Sequence, residues 1–451
     1  MEMLTPDVIP STEPIINVGI ILPEDDFTSV AIRTPADKAY LVKFYERSIP
    51  IPPEEDIYFR LEKGSIHFRL QGKEYKFEQE VFIFPAKTDP KIKSGDGIRI
   101  KNIIAGRGFH WNKYIDVFLP GSLKIRPYKD RLILINELRL EEYLMCVATS
   151  EMGASCPSAL IESQTIAARS WLLANIEQKH RSLDMDVCND DCCQRYQGTG
   201  QLTNQSVDGA KNTAGLVLMF KDYICDARYS KSCGGITESF ESLWNGEAVP
   251  YLTSIIDAET KPPQLEGPLT DDRFFQKWVE NTPETFCSSL TIPENRLGEF
   301  LGTVDESGQY FRWNITIPQV EITSVINRFN QISAKYILSI KPLKRGHSGR
   351  ITQLAIKYLD QNRVKKDLVL NSEYLIRQSL YRKFLYSSAF NVTAIEGQTG
   401  IPVSFSLQGA GWGHGVGLCQ IGALGMALSN HSTEQILSHY YPGAHLKRIY
   451  E

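Results

Sequence analysis

Between Glu142 and Trp171 the chain reads EYLMCVATSEMGASCPSALIESQTIAARSW, with apolar residues at helical spacing on both sides of a break. Tyr143, Val147 and Glu151 fall at i, i+4 and i+8. A carboxyl group therefore ends the apolar face of a first helix. Met152–Cys156 reads as the break, and Pro157 suits the first position of a second helix, where a missing N–H costs nothing. Leu160, Gln164, Ala167, Ala168 and Trp171 form the inner stripe of that helix. Gln164 and Arg169 are the polar residues placed to reach back toward Glu151. Burial disfavours an ionised carboxyl and raises its pKa, which is what a general acid needs near neutrality. The periodicity equally allows a partly exposed glutamate at a frayed helix end.

The surrounding pattern predicts an α+β chain. Residues 1 to about 15 are polar and Pro-rich. From Ile16 to about Pro127, short runs rich in β-branched and aromatic residues alternate with turn residues. An accessory β-domain over 1–128 follows, in which His67 and His110 read as ordinary strand residues. RLILINE (131–137) reads as a buried strand leading into the helix pair. The remainder, 129–451, reads as one core of curved antiparallel strands packed on that pair. A mainly helical lobe is inserted at about 258–340. Gln205–Thr213 predicts a helix, Lys221–Asp222 a turn between two strands, and Thr433–Tyr441 a last helix. The basic face of residues 374–390, with Arg377, Arg382 and Lys383, reads as solvated.

GAGWGHGVGLCQIGALG places Gly409, Gly411, Gly413, Gly415 and Gly417 in alternation. It does not match the G-x-G-x-x-G of dinucleotide sites. Period two predicts a strand with one bare face and with Ala410, Trp412, His414, Val416 and Leu418 on the other. A bare face admits another backbone or a flat ligand. Two readings stand: the helix pair packs closely on it, or it floors a groove for an extended polymer, with Trp412 stacking and His414 donating a hydrogen bond.

Composition narrows the classes. Of 451 residues, 42% are hydrophobic and 23% charged, an ordinary globular balance. A net charge of −4 argues against a general nucleic-acid binder. No apolar run approaches the ~18 residues of a membrane span, and the N-terminal stretch lacks the layout of an export signal. Nine cysteines are present. Cys188, Cys192 and Cys193 lie within six residues, which suits metal ligation better than a disulfide framework.

Taken in order, ELRLEEYLMCVATSEM, the P-x-x-L-x-x-x-Q-x-x-A-A-R-S helix, ARYSKSCGG-x-TES and GWGHGVGLCQIGA resemble the stage II sporulation protein D (SpoIID) and amidase-enhancer family of cell-wall proteins. RGHSGRI and FLYSSAF resemble elements of its longer members. The resemblance covers about residues 130–450 and is loose before that. It implies a peptidoglycan lytic transglycosylase cleaving MurNAc-GlcNAc bonds in glycan strands lacking stem peptides, with Glu151 as general acid/base and 1,6-anhydro-MurNAc ends as product. It equally admits a non-catalytic glycan-binding amidase enhancer. The implied partners are glycan strands and a cell-wall amidase, and the implied location is the cell envelope.

A groove for glycan would draw on Arg195, Tyr196, Ser230, Ser232, Gly234, Gly235, Thr237 and Gln420, besides Gln164, Arg169, Trp412 and His414. Tyr196 equally suits a core anchor. Relatives with zinc in this region suggest a structural zinc on His180, Cys188, Cys192 and Cys193. Cys192 stands where such relatives have a histidine. The alternatives are reduced thiols or a disulfide with Cys225 or Cys233. No cofactor is needed for catalysis. Cys419 beside His414 also permits a thiol hydrolase, although a small buried residue explains the cysteine as well.

Overall fold

A computed structural model of the chain describes residues 3–44, 46–87, 91–108, 112–153, 155–244, 246–301, 308–397 and 400–451. His110 lies outside them. The chain is α+β and divides into two compact units, residues 1–226 with 446–451, and residues 227–445.

The first unit is built on two sheets. One runs in the order Val187–Cys188, Ile15–Ile21, Arg131–Arg139, Ser122–Tyr128, Val81–Pro85, Tyr40–Phe44, Arg47–Ile51. The other runs Lys113–Leu119, Ile98–Ala105, Ser29–Arg33, Asp56–Glu62, Ser65–Leu70, Lys73–Phe77. The second sheet shows the alternation of a one-sided sheet: Ile57 and Phe59 are buried while Tyr58 and Arg60 are exposed. The first sheet's centre is covered on both faces, so Ile15–Ile21 and Arg131–Arg139 are buried along most of their length. Ile15 opposes Arg139 in antiparallel register, whereas Val18 and Gly19 pair in parallel with Val187 and Cys188. The strand after the first 128 residues is thus central to a sheet formed mostly by those residues. This is why the compact unit extends past the boundary at 128.

Two helices follow that strand directly: α1 (Leu140–Glu151) and α2 (Ser158–Ala174). Both are buried over most of their length, with Tyr143, Leu144, Val147, Leu160 and Ala167 at 0% exposure. Asn204–Asn212 forms a helix started by a capping box between Thr203 and Ser206.

The second unit contains a pair of two-residue strands, Tyr229–Ser230 and Leu418–Cys419, in parallel. It also contains a meander of Ala334–Arg345, Ile351–Asp360 and Lys365–Leu370, and a sheet in the order Arg312–Pro318, Pro402–Ala410, Phe390–Glu396. Trp313, Phe390, Phe405 and Leu407 belong to its apolar core. Residues 273–335 are helical at Asp272–Glu280, Glu294–Leu301 and Gln319–Asn330. They also supply the strand Arg312–Pro318, whose Trp313 opposes Gly409. That strand ties the expected lobe into the sheet that leads to the glycine run.

Candidate functional site

Glu151 is the last residue of α1 and is half-buried. Met152, in extended conformation, stops the helix. The carboxyl Oε1 accepts the backbone N–H of Arg195 at 2.9 Å. Desolvation of Glu151 is therefore partial, between the two readings that its periodicity allowed.

Residues 194–196 run beside the helix pair and are fixed from both sides. Gln194 accepts from Tyr143 Oη at 3.1 Å and donates to the Ala168 carbonyl at 3.0 Å. Tyr196 stacks on Tyr143 with centroids 5.2 Å apart and donates to Asn136 Oδ1 at 2.7 Å. At 1% exposure it is a core anchor, with no face left for a sugar. The Arg195 side chain bonds Asp191, Nε to Oδ1 at 3.0 Å, while its backbone N–H holds Glu151.

Arg169 does not reach Glu151. It lies near the far end of α2, which the reversal at 152–157 returns to the start of α1. There it pairs bidentately with Glu141, Nε to Oε1 at 3.0 Å and Nη2 to Oε2 at 2.6 Å. It also donates to the Leu216 carbonyl and to Thr213 Oγ1. Glu141 further accepts from the Gly215 N–H and Tyr450 Oη. Gln164 is fully buried on the inner stripe of α2 and is likewise closed to a ligand.

The cysteine loop is pinned by Arg107, which bonds Asp25, Asn189 and Asp190. His180, Cys188, Cys192 and Cys193 bring one ligand atom each to within 4.8 Å of the others. Cys188 and Cys192 Sγ are 3.1 Å apart, and Cys192 Sγ is 3.8 Å from His180 Nε2. Hydrogen bonds from Cys188 and Cys193 push the Cys192 thiol strongly toward thiolate. Three sulfurs and an imidazole suit zinc in a closed site. No disulfide joins any two of the nine cysteines, so neither one with Cys225 nor one with Cys233 forms.

In the second unit the glycine run is not a strand with a bare face. The strand Pro402–Ala410 ends where the run begins, and Gly411, Gly413, Gly415 and Gly417 all have φ between 73° and 93°. Alternating left-handed residues make a tight loop with the same period as a strand, and the left-handed region favours glycine. The loop wraps the buried Arg350 guanidinium, which donates to the carbonyls of Ser232, Cys233 and Gly413. A Cβ on Gly415 would lie 2.4 Å from Arg350 Cζ. Ser348 donates to the buried Glu238, whose carboxylate also accepts the N–H of His347. Gly415→Val should cost on the order of 3 kcal/mol of stability, combining overpacking with strain. Gly400→Ala, at φ 68° with open space around it, should cost less than half as much. Equal denaturation midpoints for the two variants would remove Arg350 packing as the reason for glycine.

Most of the expected groove residues hold this loop together instead of lining a surface. Ser230 Oγ accepts the Gly415 N–H, and Thr237 Oγ1 accepts from Ile255 and donates to Thr253. Ser232 pairs with Trp412 through the backbone. Gly234 and Gly235 are buried against Gly411 and Trp278, and Gln420 is buried at the start of a helix, Gln420–Leu428. Trp412 and His414 do reach the surface. Trp412 stacks on Tyr386 at 4.2 Å and lies 4.8 Å from Tyr310. His414 Nδ1 accepts the Val416 N–H, and its ring meets Trp244 edge-on at 5.3 Å. Burial, then the Arg228 and Arg350 charges, keep its pKa well below the ordinary value. The neutral ring then carries its proton on Nε2, which donates to the Tyr229 backbone. Arg350 and Glu238 were not singled out from the sequence; the only trace of the former is RGHSGRI.

No helix among the described residues is long and apolar enough to cross a membrane. Residues 128–220 match a family model described as Stage II sporulation protein, and residues 238–417 match a Domain of unknown function (DUF8618). An uncharacterized protein of Brachyspira hyodysenteriae is 27% identical over 328 residues, 72% of this chain and 70% of its own length. The Amidase enhancer of Bacillus subtilis is 26% identical over 304 residues, 66% of this chain but only 39% of that protein. Stage II sporulation protein D of Bacillus amyloliquefaciens is 24% identical over 327 residues, 68% of this chain and 74% of its own. The matched segment 128–220 contains α1 and α2, and in it the helix pair that carries Glu151 is similar to the stage II sporulation protein D and amidase-enhancer family.

Proposed function

We propose that this protein acts in the cell envelope as a lytic transglycosylase on peptidoglycan glycan strands lacking stem peptides. The observation that carries this reading is Glu151: a half-buried carboxyl at the end of α1, where the extended Met152 stops the helix, oriented by the Arg195 N–H. A fixed carboxyl in such a place is suited to proton transfer. Glu151 gives its proton to the glycosidic oxygen as the C1–O bond breaks. It then takes the proton of the sugar's C6 hydroxyl as O6 bonds to C1, closing a 1,6-anhydro ring. The carboxyl returns to its starting state, no water is consumed, and no second carboxylate is required, unlike the paired-carboxylate glycosidases. Within the second unit, Trp412, half-exposed and stacked with Tyr386, is a surface group suited to sugar contact. Mass spectrometry of denuded glycan after digestion tests the reading. Anhydro-MurNAc ends support it. Uncleaved but bound glycan points to the non-catalytic amidase enhancer, which the Bacillus subtilis relative's name favours.

We also assign a structural zinc to His180, Cys188, Cys192 and Cys193, where it would hold the loop that carries Arg195. The Cys188→Ser/Cys192→Ser variant should lose about one zinc per chain relative to wild type. An unchanged metal content would dismiss the assignment.

A further inference from the structure

A second set of metal-type donors lies in the second unit, and the glycan reading makes no use of it. Cys233, Asp257, Cys287 and Cys419 each place one ligand atom within 4.8 Å of the other three. All four are at most 3% exposed. In sequence they are scattered over nearly the whole unit, so no local motif announces them.

The geometry is that of a tetrahedral site. Sulfurs bound to one zinc at ~2.3 Å sit about 3.8 Å from each other. Cys233 and Cys287 Sγ are 3.7 Å apart. The donors are also oriented from behind, as metal ligands usually are. Cys419 Sγ accepts the backbone N–H groups of Cys233 at 3.1 Å and Gly422 at 3.3 Å. Asp257 Oδ1 accepts from Tyr440 Oη at 2.6 Å, and Oδ2 accepts the Cys287 N–H at 3.0 Å. Gly422 leaves the room: a Cβ there would fall 2.6 Å from Asp257 Oδ1 and 2.2 Å from Tyr440 Oη.

Charge points the same way. A carboxylate at 0% exposure needs a compensating positive charge. Among the described residues its only ion-pair partner is His439, 3.9 Å away. The Nε2 of His439 is itself buried without a hydrogen-bond partner. A divalent cation between the four donors would satisfy Asp257. Three sulfurs exclude the oxygen-seeking magnesium and calcium, and the single oxygen departs from the four cysteines of an iron–sulfur cluster.

We propose that Cys233, Asp257, Cys287 and Cys419 bind a structural zinc ion. With four protein ligands the site is closed, so the ion acts as a staple rather than a catalyst. It joins segments that carry little ladder of their own. Cys233 follows the two-residue strand Tyr229–Ser230, Cys419 ends its two-residue partner and caps the next helix, and Asp257 and Cys287 come from irregular stretches. Two of the four segments border the loop around Arg350, so the ion holds the frame in which Trp412 and His414 stand.

Crystals of the wild-type chain purified without chelator, measured across the zinc absorption edge, test this directly. An anomalous peak is expected between the four donors. Its absence, or continuous density for a Cys233–Cys287 disulfide, would overturn the proposal. In solution, the Cys188→Ser/Cys192→Ser variant should keep about one zinc per chain, and Cys287→Ser should lose about one relative to wild type. A folded double-serine variant free of zinc would equally overturn it. Neither result depends on whether the protein cleaves glycan.

Discussion

Glu151→Gln is expected to leave the fold and glycan binding intact and to lower glycan cleavage at least ~10²-fold. The amide keeps the shape of the side chain and, through its oxygen, the bond from the Arg195 N–H. It holds no transferable proton, so neither leaving-group protonation nor capture of the C6 hydroxyl proton is assisted. Release of anhydro-ended fragments from denuded strands, read beside the melting temperature and a glycan pull-down, separates chemistry from folding. A Gln variant that cleaves at the wild-type rate would sink the general-acid role. Two equally inactive proteins that bind glycan equally would make the enhancer reading the better one. Arg195 gives a subtler check. Its backbone N–H to Glu151 survives in Arg195→Ala, so that variant should lower activity far less than Glu151→Gln does.

Arg169→Leu is expected to destabilise the protein by ~3–5 kcal/mol, the cost of leaving one partner of a buried ion pair uncompensated. Arg169 is fully buried, and its guanidinium meets both oxygens of Glu141. Leucine fills much of the volume but, among the described residues, leaves the Glu141 carboxylate the Gly215 N–H and Tyr450 Oη, neither of them charged. Adding Glu141→Leu should recover part of the loss, because the remaining charge is then gone. The measurement is the shift in urea midpoint for both single variants and the double. Strictly additive losses would show that the pair does not act as a unit. Because the pair clamps the start of α1 to the far end of α2, the single variants should also reduce cleavage in proportion to the unfolded fraction, without altering the products.

The helix pair was legible in the sequence because a period near 3.6 is local information, and the His180–Cys193 cluster because its donors are close along the chain. Their neighbours were not. Periodicity places Arg169 on an inner face but says nothing of which residue it meets there. The antiparallel return of α2 brings it to Glu141, ten residues before Glu151. The glycine run was misread for a different reason. A strand and a loop of alternating left-handed glycines share period two, and only the contacts with Arg350 tell them apart. The strand Arg312–Pro318 went unseen among helical segments, since its pairing with Pro402–Ala410 joins residues almost a hundred positions apart. Spacing does put Gln164 on the inner stripe where it is buried, and leaves Tyr196 open between groove and core, but the burial of Tyr196 and Thr237 is a property of packing that no spacing encodes.

The strand Leu216–Phe220 lies between Tyr223–Ile224 and His445–Arg448 in its sheet. Its second partner is made more than two hundred residues after it. At about 5–20 residues per second, a ribosome takes roughly 10–45 s to cover that distance. For that interval Leu216–Phe220 presents an open, apolar edge, a template for mispairing with other chains. The second unit must be synthesised during the same interval, so the first unit cannot close its sheet until its neighbour has emerged. Yield of native protein should therefore respond to translation speed and to holdase chaperones that cover strand edges, even where equilibrium stability is unchanged.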